Sequence, residues 1–233
     1  MKTSKKQAFT AMGLGVKRAL PIVLGYVPIG FAYGVLAGKG GLSDTNTLLM
    51  SLIVFAGSAQ FIAVGLFAAG TGPAAIILTT FVVNLRHMLM AASLSPHLAG
   101  WKKRHLAFFS FELTDETFAL HSTAASQLGS CRLEALSLNV TAQASWVVGT
   151  GLGIFASGLI GDIKPMGLDY ALAAMFIALL VGQCENRVRV VTAIFSGTIA
   201  TLLYLAGWHQ FHIIAATVSG ATMGLGVEQW IKR

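Results

Sequence analysis

PAAIILTTFVVNLRHMLMAASLSP, residues 73–96, is apolar enough and long enough to enter a bilayer, yet it carries Asn84, Arg86 and His87 close together at its centre. A central arginine disfavours insertion by roughly 2.5 to 3.5 kcal/mol, while each Leu, Ile, Phe or Val returns only about 0.3 to 0.6 kcal/mol. The flanking residues can offset one such group. The segment therefore inserts only with its polar cluster turned toward protein or a water-filled cavity, and a polar cluster at that depth is a functional-site hypothesis.

The rest of the chain fits a bilayer setting. Hydrophobic residues make up 55% of the 233 residues and charged residues 11%, against about 25% charged in soluble domains, and the mean hydropathy is +0.72. The fold class expected is an all-α, polytopic integral membrane bundle, one permease domain over 1–233 with a basic cytoplasmic N-terminal segment at 1–18. Small residues recur every fourth position at Gly30, Gly34 and Gly38, at Gly149, Gly153, Ser157 and Gly161, and at Gly220 and Gly224. Such stripes let helices approach closely in lipid. Most predict close internal packing, and the Gly149, Gly153 and Gly161 face could equally accept a foreign helix.

The net charge of +7 does not call for a nucleic acid. Lys2, Lys5, Lys6, Lys17 and Arg18, the run Lys102, Lys103 and Arg104, the pair Arg187 and Arg189, and Lys232 and Arg233 all flank apolar stretches. A positive-inside bias accounts for them. Cys131 and Cys184 stand alone, without disulfide or zinc-ligand spacing, and the first apolar run, interrupted by Pro21 and Pro28, reads as a retained span rather than a signal peptide.

Candidate spans lie near 19–38, 47–69, 73–95, 106–127, 136–160, 168–185, 190–207 and 211–229, each near the 20 residues a crossing needs. Eight crossings place residues 102–104 outside, against the charge rule. If 73–95 and 106–127 do not both cross, the triplet lies inside and the count is six. Either count puts both termini in the cytoplasm. The polar cluster makes the third segment a candidate for a broken or re-entrant element. Blocks 19–95 and 136–207 have similar hydropathy, and the runs 50–60 and 173–183 both end in Gln, so an internal repeat of the kind found in secondary transporters is conceivable.

The polar residues within these spans form the candidate site. In FAGSAQF, residues 55–61, Gly57 and Ser58 weaken the helix and Gln60 brings a donor and an acceptor. That suits an unwound substrate-binding point, or a tight crossing with Gln60 bonded to a neighbour. Asn84 and His87 share a helix face, with Arg86 about 100° from His87. Arg86 could hold a substrate carboxylate or pair permanently with an acid on another helix, and His87 could carry a proton. Glu112, Asp115 and Glu116 fall at i, i+3 and i+4, one acidic face of a transmembrane helix or the solvated face of an amphipathic cytoplasmic one. In the first case they supply the titratable carboxylates that proton coupling needs, and Asp115 or Glu116 is the expected partner of Arg86. Phe55, Phe61 or Met88 could supply an apolar wall. His209 and His212 form an HxxH pair in an expected turn, which points to a turn rather than a metal site.

PIGFAYG (28–34), FAGSAQF (55–61), TTFVVNLRHMLMAASLSP (79–96) and LTDETF (113–118), in this order and spacing, together resemble the AzlC family, the large subunits of bacterial branched-chain amino-acid exporters. The resemblance implies a permease of the bacterial cytoplasmic membrane that works with a small AzlD-type membrane subunit and exports Leu, Ile, Val and often Met, driven by protons. It implies functional roles for Gln60, Asn84, Arg86, His87, Asp115 and Glu116; taken with the residues' own chemistry, Gly57, Ser58, Gln60, Asn84 and Arg86 are the expected substrate-binding residues and His87, Glu112, Asp115 and Glu116 the expected proton-coupling ones. Met90 stands where the family leads one to expect an aromatic residue.

Other classes remain open on the residues alone. A channel would share the polar lining without needing a titratable gate, and a scaffold subunit would tolerate neutral replacement of Arg86 and Asp115. An enzyme is disfavoured because no zincin, Gly-x-Ser-x-Gly or phosphate-loop pattern occurs, and no cofactor is expected.

Overall fold

A computed structural model describes residues 5–161, 167, 170–184, 186–208 and 212–231. Every regular element among the described residues is helical, and they fall into two compact units, Met1–Leu172 and Ala173–Arg233. This is the all-α membrane architecture that the composition predicts.

The first unit is built on two long helices. α1 (Lys5–Lys39) is continuous through Pro21 and Pro28. At 1.5 Å per residue its 35 residues extend about 52 Å, well beyond a hydrocarbon core of about 30 Å. The basic segment read as preceding the first span is, from Lys5 onward, the opening turns of this same helix. α8 (Arg132–Ser157) runs beside α1 in the same direction. Gly15 faces Glu134 and Ser137, Gly30 faces Trp146 and Thr150, Gly34 faces Gly153, and Gly38 faces Ser157. A Cβ on Gly30 would come within 2.8 Å of the Trp146 carbonyl, and one on Gly34 within 3.0 Å of the Gly153 Cα. The stripes read from the sequence thus meet each other. Gly149 and Gly153 are covered by Val27 and Phe31 of α1 and are not free for a foreign helix, while Gly161 borders open space.

Two of the apolar segments turn back instead of crossing. The segment read as a span at 47–69 is α2 (Asp44–Leu49), a π-helical turn at Met50–Val54, a break at Phe55 and Ala56, and α3 (Gly57–Ala68). Gly41, Ser43 and Asn46, before and within α2, line one groove with Phe67, at the far end of α3. Both arms therefore start and finish at the end of the unit where α1 ends. Each arm holds 11 or 12 residues, about 16 to 18 Å, half a membrane. The segment at 106–127 behaves likewise from the opposite end, as α5 (Lys103–Phe111), a break at Glu112–Thr114, α6 (Asp115–Thr123) and a short α7 (Ala125–Leu128). Trp101 Nε1 donates to the Gly129 carbonyl at 3.1 Å, and Trp101, Gly129 and Arg132 share a cleft with Gln7 and Ala11 of α1.

The third segment, where the polar cluster suggested a break, is instead the unbroken α4 (Pro73–Leu94), extended by a 3-10 turn at Ser95–Leu98. Its Arg86 and His87 find partners at the two hairpin tips, and its own backbone stays closed. With both hairpins re-entrant, Lys102, Lys103 and Arg104 lie at the same end as Lys5, Lys6 and Arg132. The charge violation of an eight-span count disappears. Among the described residues of the first unit, Lys39 stands at the opposite end.

The second unit holds α9 (Ala171–Gln183) from its third residue onward, α10 (Arg187–Leu205) and α11 (His212–Ile231), all apolar. α10 and α11 pack antiparallel, with Gly220 over Ser196 and Gly224 over Thr192. α1, Pro73–Leu98 and α10 are long and apolar enough by themselves to cross a membrane. Residues 173–183 form a regular helix, unlike the π-turn and break of 50–60, so the two runs ending in Gln differ in backbone.

Arg86 of α4 joins two hairpin tips

The first hairpin turns at Phe55, whose φ of 43° is the one positive value among the described non-glycine residues. A left-handed residue with a Cβ is strained by roughly 1–2 kcal/mol. Packing holds it there, with the ring edge-on to Tyr26 at 6.3 Å between centroids. The break leaves α3 starting at mid-depth. Its first amides have no intrahelical acceptor, and Ala56 at the N-cap gives no side-chain cap. The positive end of that half-helix is therefore uncompensated.

The tip of the second hairpin is built differently. Thr114 caps α6 in a reciprocal pair with Thr117, and Asp115 and Glu116 occupy the first turn. Being consecutive, the two carboxylates diverge by about 100°. Asp115 reaches α4, where Arg86 Nη1 lies 2.7 Å from its Oδ2. Glu116 reaches α1, where the Tyr26 hydroxyl donates to its Oε2 at 2.5 Å and shares a hydrogen bond of 2.7 Å with Thr114 Oγ1.

Arg86 also donates through Nη2 to Ser58 Oγ, in the uncapped first turn of α3. One guanidinium thus ties both tips to α4. Its neighbour His87 donates from Nδ1 to the Leu113 carbonyl at 2.8 Å. Several polar atoms of α4 and of the break before α6 are buried without a partner: Arg86 Nε, His87 Nε2, Asn84 Oδ1 and Glu112 Oε2. Buried polar atoms are rarely left so, and such a set can receive a polar ligand.

The candidates read from the sequence separate into groups. Ser58, Arg86, His87 and Asp115 come together, with Glu116 beside them but turned to Tyr26. Gln60 is fully buried and donates to Ser51 Oγ at 3.1 Å, which in turn lies 2.8 Å from Thr150 Oγ1. It bonds back across its own hairpin and does not reach Arg86, although its Oε1 has no partner. Glu112, 1% exposed, ends α5, so the helical i, i+3, i+4 relation to Asp115 and Glu116 is lost at the break. Gly57, Ser58 and Ala59 are helical, and the unwound residues are Phe55 and Ala56 just before them. Met88 is exposed, whereas Phe55 and Phe61 are buried in an aromatic group with Tyr26, Tyr33 and Trp146. Trp146, Tyr26 and Thr114 were not singled out by the sequence. The signal available for Trp146 was an indole inside a small-residue stripe. Among the described residues no cluster of three or more His, Cys, Asp or Glu could hold a metal; His209 of the HxxH pair lies outside the described residues.

Two hairpins that turn back from opposite ends, both tied at their tips to Arg86 of α4, define an all-α membrane protein. The chain belongs to the AzlC family, whose model matches residues 21–160. It is 33% identical over 208 residues, 88% of this chain and 90% of the relative, to an uncharacterized membrane protein of Archaeoglobus fulgidus. It is 32% identical to the inner membrane protein YgaZ of Escherichia coli, over 90% of this chain and 86% of that one. It is 28% identical to the branched-chain amino acid transport protein AzlC of Bacillus subtilis, over 91% and 83% of the two chains. No solved structure matches.

Proposed function

We propose that this chain is a single permease domain and the large subunit of a proton-coupled exporter of Leu, Ile, Val and Met, not an enzyme, working with a small AzlD-type subunit in the bacterial cytoplasmic membrane. The observation that carries the reading is Arg86, held between Ser58 and Asp115. The uncapped amides of Gly57 and Ser58 and the Arg86 guanidinium suit a carboxylate, as broken helices do in other transporters. A substrate carboxylate taking Arg86 would release Asp115 to accept a proton or the substrate ammonium, which links binding to protonation. His87, Glu112 and Glu116 stand within the same region as further proton acceptors, and Asn84 and Gln60 as polar contacts. Phe55, Phe61 and Trp146 offer the apolar wall. The basic end of the first unit faces the cytoplasm under the charge rule, with both chain termini on that side.

The deciding experiment is counterflow of labelled valine in proteoliposomes, with and without the small subunit. Exchange that depends on Arg86 supports the reading. No saturable exchange of any branched-chain amino acid by the complex would refute it.

A further inference from the structure

Between the ion pair and the basic end of the first unit lies a buried polar track that the proposed carboxylate site does not use. It follows α6. Thr114, Thr117 and His121 share one face of that helix at i, i+3 and i+7, and all are buried, His121 to 1% exposure. The track begins at Glu116, bonded to the Tyr26 hydroxyl, which is bonded to Thr114 Oγ1, itself 3.3 Å from Thr117 Oγ1. One turn further on, His121 Nε2 lies 2.7 Å from Asn139 Oδ1 of α8. An amide oxygen only accepts, so Nε2 carries the hydrogen and Nδ1 is the nitrogen left to take a proton.

The surroundings of His121 are few. α5 contributes the apolar ring of Phe109 at 5.0 Å between centroids. α8 contributes Asn139 and Glu134, and α1 contributes Arg18, the two charged groups acting on the imidazole. Arg18 pairs with Glu134 at 2.7 Å and donates to the Leu120 carbonyl at 3.2 Å, next to His121 in the chain. This pair is partly exposed and marks where the track meets the basic end. His121 is six residues from Asp115, about 9 Å along the helix, between the mid-depth site and that surface.

We propose that His121 is a proton station between the hairpin-tip carboxylates and the basic, cytoplasmic end of the protein. Once protonated, Glu116 becomes the donor in its bond to Tyr26; its proton passes to Tyr26, which gives its own hydroxyl proton to Thr114, and so on through Thr117 and one bridging water to Nδ1 of His121. Nδ1 then gives up that proton toward the Glu134 carboxylate, Nε2 keeping its hydrogen on Asn139, and the ring is neutral again. The hydroxyls end neutral, and one proton has moved. Asn139 holds the ring orientation.

This inference rests on the proposed proton coupling, and the test separates the two. Full-length protein with its subunit is reconstituted, and labelled valine is followed in two assays, exchange at equal pH and accumulation driven by an imposed pH gradient. His121→Gln keeps a donor for Asn139 but cannot take a proton. Asn139→Asp keeps the shape and traps the imidazole in its charged form. Both variants are expected to exchange valine within about twofold of the wild type while losing gradient-driven accumulation by about a hundredfold, the scale of a lost proton-transfer group. Either variant accumulating valine as the wild type does would overturn the station. Loss of exchange together with accumulation in both would also overturn it, because His121 would then be a strut. Wild-type protein indifferent to the gradient would instead refute the coupling itself.

Discussion

Gly57 lies flat against the indole of Trp146: a Cβ placed on Gly57 would come within 2.8 Å of the ring. The tip of the first hairpin reaches its position only because that residue has no side chain, and Trp146 is held on other sides by Tyr26, Tyr33 and Phe61. Gly57→Ala should therefore push the tip away from Arg86. Overpacking of this kind costs about 1–3 kcal/mol, and valine exchange should fall at least tenfold while the protein still reaches the membrane. Gly65→Ala on the same helix meets nothing within 4 Å and serves as the control, with unchanged exchange.

The Arg86–Asp115 pair makes a thermodynamic prediction as well as a functional one. Removing one partner of a fully buried pair costs about 3–5 kcal/mol and replacing both costs less; with its side chains 26% and 17% exposed, this pair should lie below that range in the same order. In detergent, Arg86→Gln and Asp115→Asn should each lower the melting temperature, and the double variant should lie above both. Each single variant should abolish export, and any residual transport by Asp115→Asn should no longer depend on external pH. Near-normal, pH-dependent export by both single variants would leave the pair with a packing role only.

The re-entrant course of 44–68 and 103–128 is open to labelling. In protein with Cys131 and Cys184 replaced by Ser, single cysteines at Thr45 and Thr71 should react with an impermeant reagent applied to intact cells. Cysteines at Lys103 and Ser130 should react only after the membrane is opened. Opposite-side labelling of Thr45 and Thr71 would show that the first hairpin crosses.

Transport activity should belong to a complex. The Gly149 and Gly153 face is filled by α1, so the proposed small subunit would bind elsewhere. This full chain reconstituted without the proposed partner should exchange valine at under about a tenth of the rate of the pair, as expected where a binding-competent state is scarce without its partner. Full activity of this chain alone would refute the requirement.

Composition and apolar run lengths were enough to read the helical membrane class, and the cost of burying Arg86 was enough to anticipate its pairing with a carboxylate of 115–116. The re-entrant turns were harder to see. Residues 44–68 and 103–128 are as long as true spans, and what makes them turn is not composition but the left-handed Phe55 and the cap at Thr114. The break was expected at 73–95 because that is where the charge lies. Charge, however, demands partners, and α4 receives them from the two hairpins without opening its own backbone. Gln60 was legible as a buried polar group but not its partner, since Ser51 and Thr150 meet only through the π-turn and the α1–α8 contact. Tyr26 and His121 carried no local signal because each sits in an ordinary helical stretch and gains its role from a helix distant in sequence.

Hairpins that enter from opposite ends and stop halfway have an electrical consequence. A membrane voltage falls mainly across whatever is driest, and where water fills the space behind each tip the dry layer is no thicker than the contact between Ser58, Arg86 and Asp115. The field is then concentrated over a few side chains instead of about 30 Å of hydrocarbon. A charge that shifts only across this contact does nearly the whole electrical work of crossing, about 2.3 kcal/mol per 100 mV, so a small rearrangement at one ion pair can draw on the full potential of the cell.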